Sequence, residues 1–149
     1  MTRHWFDWCK AWIKDLGPHA GKFDSDRHFL AAPEGVQLSD IAFFSEDVLY
    51  ASDPLGGGIY KSESIGDGFE VLVPPGILRS PQGIAPSADG SRLYVSDYRY
   101  GLAIIDTETG AVSRLAADEP MLLDGIDGLW LHEGELIAVQ NGLSPMRIV

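Results

Sequence analysis

The chain predicts an all-β fold: an incomplete β-propeller of two four-stranded blades plus part of a third, with a short N-terminal helix in front. Three observations carry this expectation. Residues from Ser39 onward repeat with a period of 42–45 residues. Each repeat holds strand-length apolar runs divided by turn residues. The first 38 residues follow a different, helical spacing.

Residues 1–38 are expected to form the helix and an irregular lead-in. Trp5, Trp8, Cys9, Trp12, Ile13 and Leu16 fall at spacings of 3, 1, 3, 1 and 3, which places them on one face of a helix over Arg3–Leu16. Gly17-Pro18 ends it, since glycine suits a helix C-terminus and proline cannot continue one. Core packing accounts for the tryptophan stripe better than a partner surface does. The segment has no uninterrupted apolar stretch and no small-residue cleavage site, so no secretory signal is expected and the cytoplasm is the default compartment.

The first blade is expected over residues 39–80, with Ser39–Phe43, Leu49–Asp53 and Gly57–Tyr60 as its repeat signatures. The second, residues 81–124, carries Pro81–Ala85, Leu93–Asp97 and Tyr100–Ile104. Its Asp89-Gly90 pair and its Thr107–Gly110 stretch supply the hairpin reversals. The partial third blade, residues 125–149, carries Ile126–Trp130 and Leu136–Gln140 and reaches Val149 within an expected strand. Two anchors give the same period. Asp40, Gln82 and Asp127 lie 42 and 45 residues apart, and Asp53, Asp97 and Gln140 lie 44 and 43 apart. Units of this length built from four short strands are the pattern of propeller blades, because a lone blade cannot cover both its faces.

Charge separates the two regions. Residues 1–38 hold five acids and five bases, so the net charge of −11 belongs wholly to the repeats. An acidic surface of that kind excludes a nucleic-acid binder, which must neutralise phosphates with Lys and Arg. No apolar run is long enough for a membrane helix, so no membrane association is expected. A single cysteine, Cys9, excludes an internal disulfide framework. Propellers close with roughly four to eight blades. The chain is therefore expected to be part of a larger propeller, or to close with a second copy as a homodimer.

The stretch PQGIAPSADGSRLYVSDYRYGLAIIDTETGAVSRL (residues 81–115) and the start LDGIDGLWLHEGELIAVQNG (residues 123–142) carry a resemblance. They are similar to the six-bladed propellers of the NHL and senescence-marker-protein/gluconolactonase superfamily. The resemblance spans about residues 39–149 and implies a divalent metal, calcium above all, at the mouth of a central channel. In that superfamily the metal is held by an early Glu, an Asn in a Pro-Asn-Gly element and an Asp in an Asp-Gly element. Carried over, Asp127 takes the metal-binding and catalytic, base-like Asp position, Gln82 takes the metal-binding Asn position, and Asp40 takes a substrate-binding position one blade earlier. Gln82 places its amide oxygen one methylene further out than Asn, and the early Glu has no counterpart here.

The chemistry is coherent apart from the resemblance. Radial repetition brings one polar residue per blade to a shared place, and a ring of carboxylate and amide oxygens suits calcium. A metal there would polarise a lactone carbonyl while a carboxylate takes a proton from water. The competing reading of these residues is turn capping. Asp53 and Asp97, at strand ends in matching repeat positions, are expected to hold the loops between blades. Gly56-Gly57-Gly58 lacks the Lys-Ser/Thr of a phosphate loop and reads as a hairpin turn. His132-Glu133 has no second His, and no serine elbow or Cys/His pair is present. Two expectations follow: a calcium-dependent lactonase-type hydrolase, or a non-catalytic scaffold for a small ligand or protein partner.

Overall fold

The computed structural model describes residues 30–64, 68–116 and 121–149. The expected helix over Arg3–Leu16 lies outside the described residues. Within them the chain is all-β, with three antiparallel sheets that follow one another along the sequence. The first sheet is β1 (Ile41–Phe43), β2 (Leu49–Asp53), β3 (Gly58–Ser62) and β4 (Glu70–Val73), in that spatial order. The second repeats it with β5 (Pro81–Pro86), β6 (Arg92–Asp97), β7 (Leu102–Asp106) and β8 (Val112–Arg114). The third has three strands, β9 (Ile126–His132), β10 (Glu135–Gln140) and β11 (Arg147–Ile148). Sheets of four, four and three strands, each packed on the next, make an incomplete propeller.

Strand alternation explains how one sheet serves two cores. Successive side chains point to opposite faces, so directly paired residues share a face. In the second sheet Ile84, Val95 and Ala103 are paired across β5, β6 and β7, as are Leu93, Ile105 and Val112 across β6, β7 and β8. All of these turn toward the first sheet, where they meet Tyr50, Ile59, Val73 and Leu78 in the larger core. The intervening residues Ala85, Tyr94 and Leu102 turn the other way and join Ile126, Leu129 and Ala138 of the third sheet in the second core. The strand Leu93-Tyr94-Val95-Ser96-Asp97 is thus almost wholly buried although its residues alternate in direction.

The end sheets differ in their outer faces. Leu49, Ala51 and Tyr60, on the face of the first sheet opposite the larger core, are buried. Trp130, Ile137 and Ile148, on the corresponding face of the third, are exposed by 56%, 36% and 73%.

Turn chemistry matches the sequence pattern. Asp89-Gly90 reverses β5 into β6 with Gly90 at φ 71°. Thr107–Gly110 joins β7 to β8, where Asp106 Oδ1 accepts from the N–H groups of Glu108 and Thr109. The Asp89 carboxyl, fully exposed, is held down to about 2 by hydrogen bonds from Ser87 and from the Ser91 N–H and hydroxyl. Among the described residues no helix is long and apolar enough to cross a membrane.

Candidate functional site

Two serines join the blades and thereby assemble the site. Ser52 and Ser96 occupy the same repeat position, one residue before Asp53 and Asp97 at the ends of β2 and β6. The Ser52 hydroxyl accepts from the Asp40 N–H at 3.2 Å and donates to the Gln82 carbonyl at 2.9 Å. The Ser96 hydroxyl accepts from the Gly83 N–H at 3.0 Å and donates to the Ile126 carbonyl at 2.9 Å. Each hydroxyl therefore ties the start of its own sheet to the start of the next. A third tie crosses the first interface, where Asp40 Oδ2 accepts from the Ile84 N–H at 2.9 Å.

Equal repeat positions consequently end up side by side. Asp40, Gln82 and Asp127 line one depression of about 340 Å³, completed by Ser39, Gly128, Trp130 and Val139. Asp40 is half-buried and Asp127 exposed. The amide of Gln82 donates from Nε2 to Ser80 Oγ at 3.3 Å. Asp127 Oδ2 accepts from Asn141 Nδ2 at 2.8 Å, and Asn141 Oδ1 in turn accepts from the Tyr98 hydroxyl at 3.1 Å. The backbone N–H of Asn141, bonded to the Gly125 carbonyl at 3.0 Å, seats this side chain over the start of β9.

Burial pushes the Asp40 carboxyl above its usual range. The N–H groups of Ile84 and Ile41 oppose the rise, and the negative charge of Asp127 adds to it. A folded-state pKa above the unfolded value means that the native protein holds this proton more tightly, so ionisation at neutral pH costs stability. Asp40→Asn keeps an oxygen for the Ile84 N–H and removes the charge. Its melting temperature at pH 7 is expected to rise by about 1–3 °C, the change to vanish near pH 3, where the wild-type carboxyl is protonated in both states. Calorimetric melts at the two pH values check this, and a lower Tm at pH 7 contradicts it.

The donor set meets the needs of a divalent cation only in part. Two carboxylates and one amide oxygen are hard, oxygen-only donors that suit calcium in charge and type. They supply three protein oxygens of the six to eight calcium takes, so water and ligand must provide the others. Among the described residues no group of three or more His, Cys, Asp or Glu side chains is placed to hold a metal.

Of the two strand-end acids expected to hold loops between blades, Asp97 does so and Asp53 does not. Asp97 Oδ1 accepts from the N–H groups of Arg79 and Ser80, in the linker between the first two blades. At the matching position Gln140 donates from Nε2 to the carbonyls of Leu122 and Asp124 in the next linker. Asp53 caps its own turn, accepting from Leu55 and Gly56.

Sequence reasoning missed Ser52, Ser96, Asn141 and Tyr98. The serines carried a signal, a hydroxyl residue recurring 44 positions apart beside the recurring Asp. Asn141 carried none, because the aligned positions of the earlier repeats hold Pro54 and Tyr98 and no amide. Comparison of the chain with protein-family models, with curated proteins and with solved structures finds no match.

Proposed function

We propose that the depression lined by Asp40, Gln82 and Asp127 is a weak divalent-cation site, with calcium as its ion, at which a lactone or related ester is hydrolysed. The supporting observation is that three oxygen-bearing side chains at one repeat position converge on a single cavity. Bound there, the cation would supply Lewis-acid polarisation of the lactone carbonyl. Asp127, with Oδ2 engaged by Asn141, keeps Oδ1 to take the proton of the attacking water. Asp40 contacts the substrate across the cavity, and its ionisation completes the negative charge of the site. Gln82 contributes its amide oxygen. The resemblance to gluconolactonase-like propellers points to the same chemistry.

One observation favours a second reading, a propeller scaffold that binds a small ligand or protein partner without catalysis. The site offers two carboxylates and no third acid among the described residues, which limits affinity.

Calcium titration by calorimetry, coupled to a pH-stat assay with lactone substrates, separates the readings. The expected result is calcium binding with a Kd on the order of 10⁻⁴–10⁻³ M. Turnover should depend on calcium and increase with pH as Asp40 ionises, and Asp127→Asn should abolish both binding and turnover. Absence of calcium binding together with absence of calcium-dependent turnover overturns the hydrolase and leaves the scaffold.

A further inference from the structure

Two carboxylates and one amide leave the donor set of the depression short, and the residue bonded to Asp127 carries the chemistry to extend it. Asn141 is the only asparagine of the chain, and a glycine follows it. Its Nδ2 lies 2.8 Å from Asp127 Oδ2, and its Oδ1 accepts from the Tyr98 hydroxyl at 3.1 Å. Both Asn141 and Gly142 are exposed, in the loop that follows β10. Packing requires the glycine, because a Cβ there would lie 2.7 Å from the Gly125 Cα and from the Tyr98 hydroxyl oxygen. A main-chain nitrogen without a neighbouring Cβ meets the least hindrance in attacking the Asn141 Cγ. The Tyr98 hydroxyl polarises the carbonyl under attack. The Gly142 N–H is held by a 3.1 Å bond to the Gly125 carbonyl, which also accepts from the Asn141 N–H at 3.0 Å. A local opening of this exposed loop frees it.

We propose that Asn141 is a site of deamidation, which takes the depression from two carboxylates to three and strengthens its hold on calcium. The Gly142 nitrogen bonds to the Asn141 Cγ, and its proton departs with the Nδ2 group as ammonia. Water then opens the five-membered imide at either carbonyl, and each product carries one new carboxylate. In the aspartyl product an oxygen replaces Nδ2, 2.8 Å from Asp127 Oδ2. Two carboxylate oxygens that close repel each other, yet both can sit about 2.3–2.6 Å from one calcium ion. The Tyr98 hydroxyl serves the new carboxylate as it served the amide, since it donates in both cases. The gain in calcium affinity rests on the reading of the depression as a cation site, whereas the deamidation does not.

The full chain is aged at mildly alkaline pH and mapped by peptide mass spectrometry, with fragmentation that separates position 141 from Gln140. The expected result is amide-to-acid conversion at Asn141, as aspartyl and isoaspartyl products, while Gln140 keeps its amide. In parallel, Asn141→Asp and Asn141→Ser are titrated with calcium by calorimetry and melted in calcium or in chelator. Asn141→Asp should bind calcium about tenfold or more tightly than the fresh wild type, and Asn141→Ser should show no such gain. Asn141→Asp should also melt below the wild type in chelator and regain that loss in calcium. An intact Asn141 after ageing, an Asn141→Asp affinity no higher than that of the wild type, or an equal gain in Asn141→Ser overturns the proposal. Failure of the cation-site reading shows differently, as conversion at Asn141 with no calcium binding by any of the three proteins.

Discussion

Gly83→Ala is expected to lower the stability of the chain by about 2–4 kcal/mol and to disrupt the site with it. Gly83 sits in β5 where that strand crosses the start of β9. A Cβ placed there would lie 2.6 Å from the Leu129 nitrogen, 2.8 Å from the Gly128 carbonyl carbon and 2.9 Å from the Asp127 carbonyl oxygen. All three are main-chain atoms of the next blade, so no side chain can swing aside and the strands themselves must part. Separation would stretch the Ser96 hydroxyl between its two partners, the Gly83 N–H and the Ile126 carbonyl. It would also thin the second core, where Ala85 packs with Ile126 and Leu129. Chemical denaturation gives the stability loss. A control at Gly134, whose Cβ position is empty but whose φ of 87° is left-handed, measures backbone strain alone. If Gly83→Ala costs no more than Gly134→Ala, close approach is not what the glycine provides.

This crossing shows why the repeat was legible and the joints were not. Periodic Gly and Asp marked the turns, and apolar runs marked the strands, because those signals are local to each unit. Asp40, Gln82 and Asp127 could be picked out together because equal positions in successive units occupy equivalent places in the fold. The contacts between units follow other rules. Which way a strand residue faces depends on register, and bulges near Pro81/Ile84 and Val139/Gln140 shift it by amounts that alternation alone does not reveal. The hydroxyls of Ser52 and Ser96 lie at such junctions, and the carbonyls they donate to are 30 residues away in sequence. Trp130 was visible as part of a repeat signature, yet its ring folds over Gly128 of the same strand and lines the depression, a placement that alternation alone does not reveal.

Asp97→Ala is expected to cost about 3–5 kcal/mol, a severe loss for a single polar substitution. Its carboxylate is wholly buried and has three partners. Oδ1 accepts from the N–H groups of Arg79 and Ser80 at 3.0 and 2.7 Å, and Oδ2 meets Arg114 Nη2 at 2.6 Å. Truncation leaves two linker N–H groups without their acceptor and a guanidinium without its anion. Arg114→Ala should cost less, about 1–2 kcal/mol, because the arginine side chain is 43% exposed and the carboxylate keeps its two backbone donors. The matching position in the third blade sharpens the test. Gln140 is also fully buried, but it gives hydrogen bonds to the linker, from Nε2 to the carbonyls of Leu122 and Asp124, and receives one from Arg147 Nε at 2.7 Å. Gln140→Asp would turn an acceptor-only carboxylate toward two carbonyl oxygens and should cost about as much as Asp97→Ala, despite restoring the residue type of the earlier repeats. Equilibrium urea denaturation of the three variants decides the matter. A mild Gln140→Asp alongside a severe Asp97→Ala would mean that the residue type, and not the polarity of each linker, governs this position.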